Sequence, residues 1–542
     1  MNRLLATATV ASLLAGALVV SPGAQAAPIP AEHEAYLPPP IAWGRCADPG
    51  LQQGGAECGF VQVPLDYDRP RGEKIKIAVS RVRHKTPDAQ YQGIMLINPG
   101  GPGASGLPLS AVVGGLVPKQ AGEAYDWIGF DPRGVGASEP SLSCDGSYFG
   151  YRQPFHVPVT GQLERTWLRR TKDYAHACDR AGGRLLDHMK TTDTVKDMDS
   201  IRRALREPKL NFYGFSYGSY LGQVYATLYP QRVRRMVLDG NTDPRTVWYQ
   251  ANLNQDVAFD RNLKAYFDWI AEHHDVYRLG RSGGEVERRF YAVQHKLLRA
   301  PADGIIGPSE LTEAFLPAGY NVYAWQPVAQ AFSSYVHDGD VSGIKALYDS
   351  SHPQGVGADN GYAVYLAVQC TDVQWPRSWA RWKADTWRVF ARAPFYTWSN
   401  AWYNAPCRHW GAGAGRPVEV DGSAAPPVLL VNETFDAATP YSGALEVRSR
   451  FPKSVLIEGV GGTTHASSLG GVACVDDRIA DYLLTGALPE RRSGRRSDVQ
   501  CEPVPRPTPA KVAGQRPSSA PALPGADGDA ARDQLRRLVA PR

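Results

Sequence analysis

The chain has 542 residues, and its 43% hydrophobic and 21% charged residues are typical of a globular protein rather than a disordered one. Its 59 Lys and Arg exceed its 54 Asp and Glu by only five. So small an imbalance argues against a dedicated nucleic-acid binder, which needs a dense basic face. We therefore expect one large globular domain or two modest ones, with no nucleic-acid partner.

The first 26 residues have the three parts of a secretory signal peptide. A short n-region (1–3) precedes an apolar run (4–20), and Ala24-Gln25-Ala26 puts small residues before the cleavage position. A membrane anchor is the alternative, but the run is short for a hydrocarbon core of about 30 Å. We therefore expect a secreted, extracellular protein without stable membrane association, in which residues 27–40 form an N-terminal segment or a short pro-region.

Export changes how the eight cysteines are interpreted, because an even number in an oxidising compartment indicates disulfides. The sequence has no CxxC pair, which argues against zinc-ribbon and thioredoxin-like sites. The densest metal-like cluster, residues 272–275 (EHHD), fits a solvated helix face better, because adjacent helical side chains diverge by about 100°. Many pairings are possible, and pairing between nearest neighbours in sequence gives Cys46–Cys58, Cys144–Cys178, Cys370–Cys407 and Cys474–Cys501.

Short apolar runs alternate with helical patterns along most of the chain. Residues 59–65 and 74–82 predict a hairpin, and residues 194–206 predict a helix with Thr194 as its N-cap. A second helix is expected over 476–484. Buried strands are expected over 93–98, 126–130, 210–213, 235–238, 428–431 and 455–457. This alternation predicts an α/β fold with a mostly parallel sheet flanked by helices.

Residues 245–425 interrupt the alternation. This stretch is helical in pattern and holds ten of the thirteen tryptophans. We interpret it as a large, mainly helical cap inserted between sheet strands, with most of its aromatic residues in ordinary core packing. The sheet domain would then have two parts, 41–244 and 426–501. Residues 502–542 are rich in Pro, Ala and Arg without clear periodicity, which predicts a disordered tail.

One motif in the sequence points to a nucleophile. Residues 214–218 (GFSYG) fit G-x-S-x-G, in which a tight turn between a strand and a helix presents a serine. The motif alone is weak, and residues 280–284 (GRSGG) match it too. Only Ser216 follows an apolar strand and precedes a helical pattern, so we expect Ser282 to lie in a surface loop.

A serine hydroxyl needs a base to accept its proton. Asp436 and His465 each follow a predicted strand, 428–431 and 455–457. Because the carboxyl ends of parallel strands share one edge of the sheet, both loops could converge on Ser216. Glu433 is the alternative acid.

Acyl transfer also needs donors for a developing oxyanion. Residues 98–103 (NPGGPG) follow the strand 93–98 directly, and glycine lets the backbone approach a substrate closely. We expect the N–H groups of Gly101 and Tyr217 to form this oxyanion hole. A phosphate-binding loop is the alternative, but the Lys-Ser/Thr ending of a P-loop is missing.

Together these segments resemble the secreted tripeptidyl aminopeptidases of actinobacteria, in the proline iminopeptidase-like branch of the α/β-hydrolases. The resemblance spans about residues 40 to 501. It implies an α/β-hydrolase fold, a triad of Ser216, Asp436 and His465, and hydrolysis near a free N-terminus that releases short peptides, commonly tripeptides. It rests on NPGGPGASG (98–106), GFDPRGVGAS (129–138), YGFSYGSYLG (213–222), WYQANLNQDVAF (248–259), AVQCTD (367–372), DAATP (436–440) and the surroundings of His465.

An aminopeptidase must bind the α-ammonium group of its substrate, which calls for a carboxylate under the cap. Asp372, Asp256 and Asp260 are the candidates, with ordinary structural roles as the alternative for each. The sequence thus predicts a monomeric serine exopeptidase that acts on peptide or protein N-termini without a metal or organic cofactor. The rival functions are a carboxylesterase or lipase with the same triad and a catalytically silent binding protein.

Overall fold

A computed structural model describes residues 36–509 and 526–539. The predicted signal peptide and residues 27–35 lie outside this part of the chain. Within it, no helix combines the length and the apolar character needed to cross a membrane.

A ten-stranded sheet forms the centre of the molecule. Its spatial order is β1-β2-β3-β5-β4-β6-β7-β8-β9-β10. Strands β1, β2, β3 and β5 pair antiparallel, and every pair from β5 through β4 to β10 is parallel. The strands are β1 Gly44–Arg45, β2 Glu57–Pro64, β3 Lys74–Val82, β4 Ile94–Asn98, β5 Asp126–Phe130, β6 Leu210–Phe215, β7 Val233–Asp239, β8 Leu429–Glu433, β9 Val455–Gly459 and β10 Val499–Cys501.

Helices cover both faces of this sheet, which explains why the central strands are apolar throughout. In β4, Ile94 and Leu96 belong to one buried cluster, whereas Met95 and Ile97 belong to another. The α-helices are α1 Pro49–Gln53, α2 Val113–Leu116, α3 Gly161–Gly182, α4 Thr191–Ala204, α5 Tyr217–Leu228, α6 Tyr249–Glu272, α7 His274–Tyr277, α8 Gly283–Arg299, α9 Pro308–Tyr320, α10 Trp325–Asp338, α11 Ser342–Ser351, α12 Asn360–Asp372, α13 Trp379–Phe390, α14 Thr397–Asn404, α15 Tyr441–Arg450, α16 Ala473–Thr485 and α17 Ala526–Val539.

These elements confirm the predicted α/β fold, with boundaries shifted by a few residues. Helix α4 begins at Thr191, so Thr194 lies inside the helix and is not its N-cap. Two carboxylates hold this earlier start: Asp193 accepts the backbone N–H of Lys190 at 3.3 Å, and Asp372 accepts that of Thr191 at 2.6 Å across 181 residues of sequence. The contact from Asp193 is local, whereas the one from Asp372 leaves no signal near position 191.

Helices α6 to α14 all lie between β7 and β8, where the sequence predicts a cap. Their aromatic side chains pack mainly on one another. The rings of Trp379 and Trp402 stack at 4.9 Å, and Trp402 also stacks on Trp167 of α3 at 5.6 Å. This packing joins the helices between β7 and β8 to a helix that precedes them in the chain.

The structure contains the four disulfides that nearest-neighbour pairing predicts. Two of them fasten elements that matter for the site: Cys370–Cys407 ties the end of α12 to the turn after α14, and Cys474–Cys501 ties α16 to β10. The others are Cys46–Cys58 and Cys144–Cys178.

The C-terminal tail differs from the expectation of disorder. Val504 is buried and donates its N–H to Glu433, and the carbonyl of Pro507 accepts from the indole of Trp269. Further on, residues 526–539 form α17, which packs against the first part of the chain. The high content of Pro and Ala predicts disorder here, but tertiary contacts that composition does not show hold these parts of the segment in the fold. Residues 510–525 and 540–542 lie outside the described part of the chain.

Candidate active site

Ser216 lies at the sharp turn between β6 and α5. Its φ of 55° falls in the left-handed region, which non-glycine residues rarely adopt. The flanking glycines permit this turn: a Cβ on Gly214 would lie 2.4 Å from the carbonyl oxygen of Gly218, and one on Gly218 would lie 2.7 Å from that of Asn98. The two glycines of the motif are thus required because any larger side chain would clash in the turn. The turn presents Ser216 at the N-terminus of α5.

The glycine loop after β4 lies against this turn. A Cβ on Gly100 would be 2.8 Å from Cβ of Ser216, so the approach requires glycine. The N–H of Gly100 donates to Oδ1 of Asn98 at 2.9 Å and is therefore already used as a donor within the loop. Gly101 and Tyr217, the two predicted oxyanion donors, both line the same cavity as Ser216.

Asp436 and His465 meet in loops that follow β8 and β9. Nδ1 of His465 lies 2.7 Å from Oδ2 of Asp436, and both side chains are buried. Thr439 fixes the carboxylate: its backbone N–H donates to Oδ1 at 2.9 Å and its hydroxyl donates to Oδ2 at 2.8 Å. The carboxylate therefore has a fixed orientation toward the imidazole.

Glu433, the alternative acid, is used differently. Its carboxyl group accepts the backbone N–H of Thr464 at 2.5 Å and that of Val504 at 2.8 Å. It thereby holds the loop that carries His465 against the residues after β10. Burial raises the pKa of Glu433 to about 8. The structure thus gives the imidazole Asp436 as its acidic partner.

The end of β7 connects the serine to the histidine. The carbonyl of Asp239 accepts the N–H of Ser216 at 2.8 Å, and a Cβ on the next residue, Gly240, would lie 2.8 Å from Cε1 of His465. Ser216 and His465 both line one cavity of about 500 Å³, a volume typical of small-molecule and peptide sites. Three loops from β6, β8 and β9 therefore bring the predicted triad to one edge of the sheet.

The second G-x-S-x-G match has another role. Ser282 is the N-cap of α8, and its hydroxyl oxygen accepts the N–H of Glu285 at 3.3 Å. Side chains that cap helices in this way stabilise them by about 1 kcal/mol.

The acid-base state of the histidine leads to a pH prediction. Burial opposes a charged imidazole, but the carboxylate of Asp436, its hydrogen bond and the charge of Asp239 outweigh burial and raise the pKa of His465. Because only the neutral imidazole can accept a proton, kcat/KM should fall on the acid side at a pH above ~6.5, the ordinary histidine value. A pH profile with an uncharged ester as substrate checks this expectation without a contribution from ionisation of the substrate, and an acid limb below ~6.5 would contradict it.

The carboxylates predicted to bind a substrate amine are engaged elsewhere. Asp372 accepts the N–H and the hydroxyl of Thr191, both at 2.6 Å, and the indole N–H of Trp248 at 3.1 Å. Asp256 is buried behind Asn400, which donates to it at 2.8 Å. Asp260 pairs with Lys264 at 2.8 Å. None of the three aspartates lines the cavity that contains Ser216.

Glu313 of α9 does line this cavity, and the sequence reasoning missed it. Ser399 donates to its Oε1 at 2.5 Å, and burial raises the pKa of Glu313 to about 7. The only cation-forming side chains within 4.0 Å of it in the described residues are His156 at 3.7 Å and His352 at 3.9 Å. Its helix also carries Glu310, so the sequence has no signal that singles out Glu313.

Neither histidine beside Glu313 supplies a positive charge near neutral pH. Burial lowers the pKa of His156 to about 3 and that of His352 to about 4. Glu313 therefore faces the cavity as an acid without a cationic partner in the described chain. The described residues also contain no group of three or more His, Cys, Asp or Glu that could hold a metal ion.

Comparisons with known proteins agree with this geometry. The family model described as "alpha/beta hydrolase fold" matches residues 93–355, and the one described as "TAP-like protein" matches residues 393–501. A tripeptidyl aminopeptidase from Streptomyces coelicolor is 41% identical over 482 residues, which cover 86% of this chain and 87% of that protein. The chain belongs to the tripeptidyl aminopeptidase family. It is a serine hydrolase with the α/β-hydrolase fold, as the sequence predicts.

Two more distant relatives also align with this member of the tripeptidyl aminopeptidase family over most of their length. Serine protease Hip1 of Mycobacterium tuberculosis is 29% identical over 479 residues, covering 84% of this chain and 91% of that protein. A protein named carboxylesterase B from the same species is 29% identical over 455 residues, covering 80% and 85%.

Proposed function

We propose that the protein is a secreted exopeptidase that hydrolyses peptide bonds near a free N-terminus and releases tripeptides through an acyl-enzyme. The observation that carries the proposal is one cavity lined by Ser216, His465 and Glu313, a buried acid whose neighbouring histidines are neutral near pH 7. The 41% identity to a tripeptidyl aminopeptidase supports the length of the released peptide.

The geometry of the imidazole sets the direction of proton transfer. A carboxylate only accepts hydrogen bonds, so Nδ1 of His465 donates to Asp436 and Nε2 keeps a free lone pair. Nε2 takes the proton of the Ser216 hydroxyl while Oγ attacks the carbonyl carbon of the substrate. Asp436 stabilises the imidazolium that forms and holds the ring in this tautomer.

The tetrahedral intermediate places a negative charge on the former carbonyl oxygen. The N–H groups of Gly101 and Tyr217 are the proposed donors, and the N-terminus of α5 adds its dipole. A donor of this kind contributes about 3–4 kcal/mol. Collapse of the intermediate breaks the C–N bond, and the imidazolium protonates the leaving amine. Water then attacks the acyl-enzyme with His465 as the base, which releases the peptide and restores Ser216.

Glu313 is the proposed anchor for the α-ammonium group of the substrate. An ammonium ion that enters the cavity finds a buried acid whose two neighbouring histidines are neutral, so the charge-assisted bond is not shared with another cation. With a pKa of about 7, the acid ionises over the range in which the amine of a peptide is still protonated. We therefore expect the KM of unblocked peptides to fall as the pH rises through about 7.

The anchor is tested by removing either the negative charge of Glu313 or the positive charge of the substrate's α-ammonium group. Glu313→Gln keeps an oxygen that can accept from Ser399 but cannot become negative. We expect kcat/KM for a free tripeptide anilide to fall by about 30-fold or more, which corresponds to about 2 kcal/mol or more for a desolvated ion pair, mainly through KM. The N-acetylated anilide should be a poor substrate for both enzymes and should not distinguish them. An equal loss on both substrates would exclude Glu313 as the anchor.

Secretion is part of the proposal. The N-terminal sequence has the pattern of a cleaved signal peptide, and the four disulfides are of the kind that form in an oxidising compartment. Expression of the full gene followed by N-terminal sequencing of the exported protein tests it, with cleavage after Ala26 as the expected result.

A carboxylesterase is the second candidate, because one relative bears that name. The same serine and histidine would serve either reaction, so the fold does not decide between them. Turnover of a tripeptide anilide, a p-nitrophenyl ester and a triglyceride separates the two functions. Hydrolysis of the esters without any cleavage of the anilide would establish the esterase.

A further inference from the structure

The C-terminal helix α17 reaches the cavity of the candidate active site. Leu538 and Val539, near its end, line the same cavity as Ser216 and His465. The helix comes from a part of the chain that lies beyond the last family-model match, which ends at residue 501. The core therefore receives part of its cavity wall from a C-terminal extension.

The apolar face of α17 holds it in place. Ala531, Leu535 and Leu538 follow the i, i+4, i+7 spacing of one helical face. Leu535 is 4% exposed, and all three side chains pack in the cluster that contains Leu109 and Val113. Those two residues belong to the segment that directly follows the glycine loop beside Ser216.

Beyond this apolar face, two arginines contribute to the attachment, and the charge of Arg532 acts on Asp476 of α16. The guanidinium group of Arg536 lies 3.6 Å from the ring centroid of Tyr323. Among residues 528–539, whose burial the structure describes, only Leu535 is buried, and the disulfides of the described chain end at Cys501. Helices with few buried contacts open at low cost in free energy compared with the core.

The opposite face of α17 is exposed to solvent. Asp529, Ala530, Asp533 and Arg537 are all exposed, whereas Leu538 and Val539 face the cavity. A helix with one face in a cavity and the other in water separates the two over its own width, about 10 Å. Moving the helix away would open the cavity to solvent at this point.

We propose that α17 is a detachable wall of the catalytic cavity that limits the length of the peptide the enzyme accepts. With the helix docked, short peptides fit the remaining space; with the helix detached, a long leaving chain can extend into solvent. The proposal rests on the peptidase function proposed above. Because the helix belongs to the same chain as the core, undocking is an intramolecular equilibrium whose position a single substitution in the apolar face can shift.

Two variants of the full-length protein test the wall. Leu535→Asp places a charge in the buried position that docks the helix, whereas Ala530→Asp adds the same residue at an exposed position of the same helix. Hydrogen exchange over residues 526–539 reports undocking, and kcat/KM is measured with a tripeptide anilide and with a ten-residue peptide. We expect Leu535→Asp to raise kcat/KM on the ten-residue peptide about tenfold and to change it less than about threefold on the anilide. Ala530→Asp should match the wild type.

Equal gains on both substrates, no gain, or a loss on both would overturn the length limit. If Leu535→Asp does not fold, the double variant Leu538→Ala, Val539→Ala shortens the two cavity-facing side chains and keeps Leu535, the buried residue of the apolar face. It should raise kcat/KM on the ten-residue peptide about threefold; no change would again overturn the proposal.

Labelling of Ser216 separates this proposal from the proposed function. If no variant cleaves peptides but all react with a fluorophosphonate, the peptidase function fails. The wall is then judged from labelling rates alone. Leu535→Asp should accelerate labelling by a fluorophosphonate on a long peptide tether about tenfold and labelling by a small one by less than about threefold.

Discussion

Ser216→Ala should reduce kcat on a tripeptide anilide by about 10⁴- to 10⁶-fold and abolish labelling by fluorophosphonates. The size of the loss follows from the way a triad works, since removing the nucleophile leaves only binding and the oxyanion donors to accelerate hydrolysis. The substitution removes one oxygen from a turn whose shape depends on its glycines, so the fold and the melting temperature should change little. Stopped assays measure the loss of kcat, and intact-mass analysis after incubation with a fluorophosphonate measures the loss of labelling.

Ser282→Ala is the matched control, because both serines lie in a G-x-S-x-G sequence. Loss of the N-cap of α8 should cost about 1 kcal/mol of stability and leave kcat unchanged. Retention of full activity by Ser216→Ala, or labelling at Ser282, would exclude Ser216 as the nucleophile.

Asp436→Asn should lower kcat by about 10⁴-fold with little change in KM. The amide can donate to Nδ1, which would place the imidazole proton on Nε2 and leave no lone pair for the serine. Thr439 still contacts the substituted side chain, so the loop should keep its shape. The pH profile gives a second reading, because loss of the negative charge should move the acid limb of kcat/KM to lower pH.

Glu433→Gln is the control for the acid. With a pKa of about 8 the Glu433 carboxyl is mostly neutral at pH 7, and glutamine resembles this neutral form. We expect kcat within about threefold of the wild type. Unfolding should be easier by about 1–2 kcal/mol, because Thr464 and Val504 donate to different oxygens of Glu433 and the amide keeps only one oxygen that can accept. A 10⁴-fold loss in Glu433→Gln, with activity retained in Asp436→Asn, would reverse the assignment.

The sequence was sufficient for features that depend on neighbouring residues. The apolar runs at 93–98 and 210–213 identify strands because buried parallel strands are apolar on both faces. Ser216 stands out because its turn requires glycine on both sides, and each of these glycines is only two residues from it in the chain. The order Ser, Asp, His along the chain then predicts Asp436 and His465 as the other two residues of the triad.

Features that depend on distant residues were out of reach. The sequence placed Asp372 among the amine-binding candidates, but its carboxylate caps α4 through a hydrogen bond that spans 181 residues of sequence. Glu313 looked unremarkable because nothing in its helix shows that its neighbours in space are two neutral histidines and a cavity. The C-terminal helix was missed because its composition predicts disorder, whereas docking of Leu535 is a tertiary contact.

By itself, then, the order of residues determined the strands, the turn that carries the serine and the chemistry open to it, since each follows from short-range sterics and periodic burial. Only the tertiary structure decided which acid contacts the imidazole, which acid faces the cavity and which residues of the C-terminal helix line it. The reason is physical: a side chain's charge state and role depend on what surrounds it in space, and folding brings together residues hundreds of positions apart.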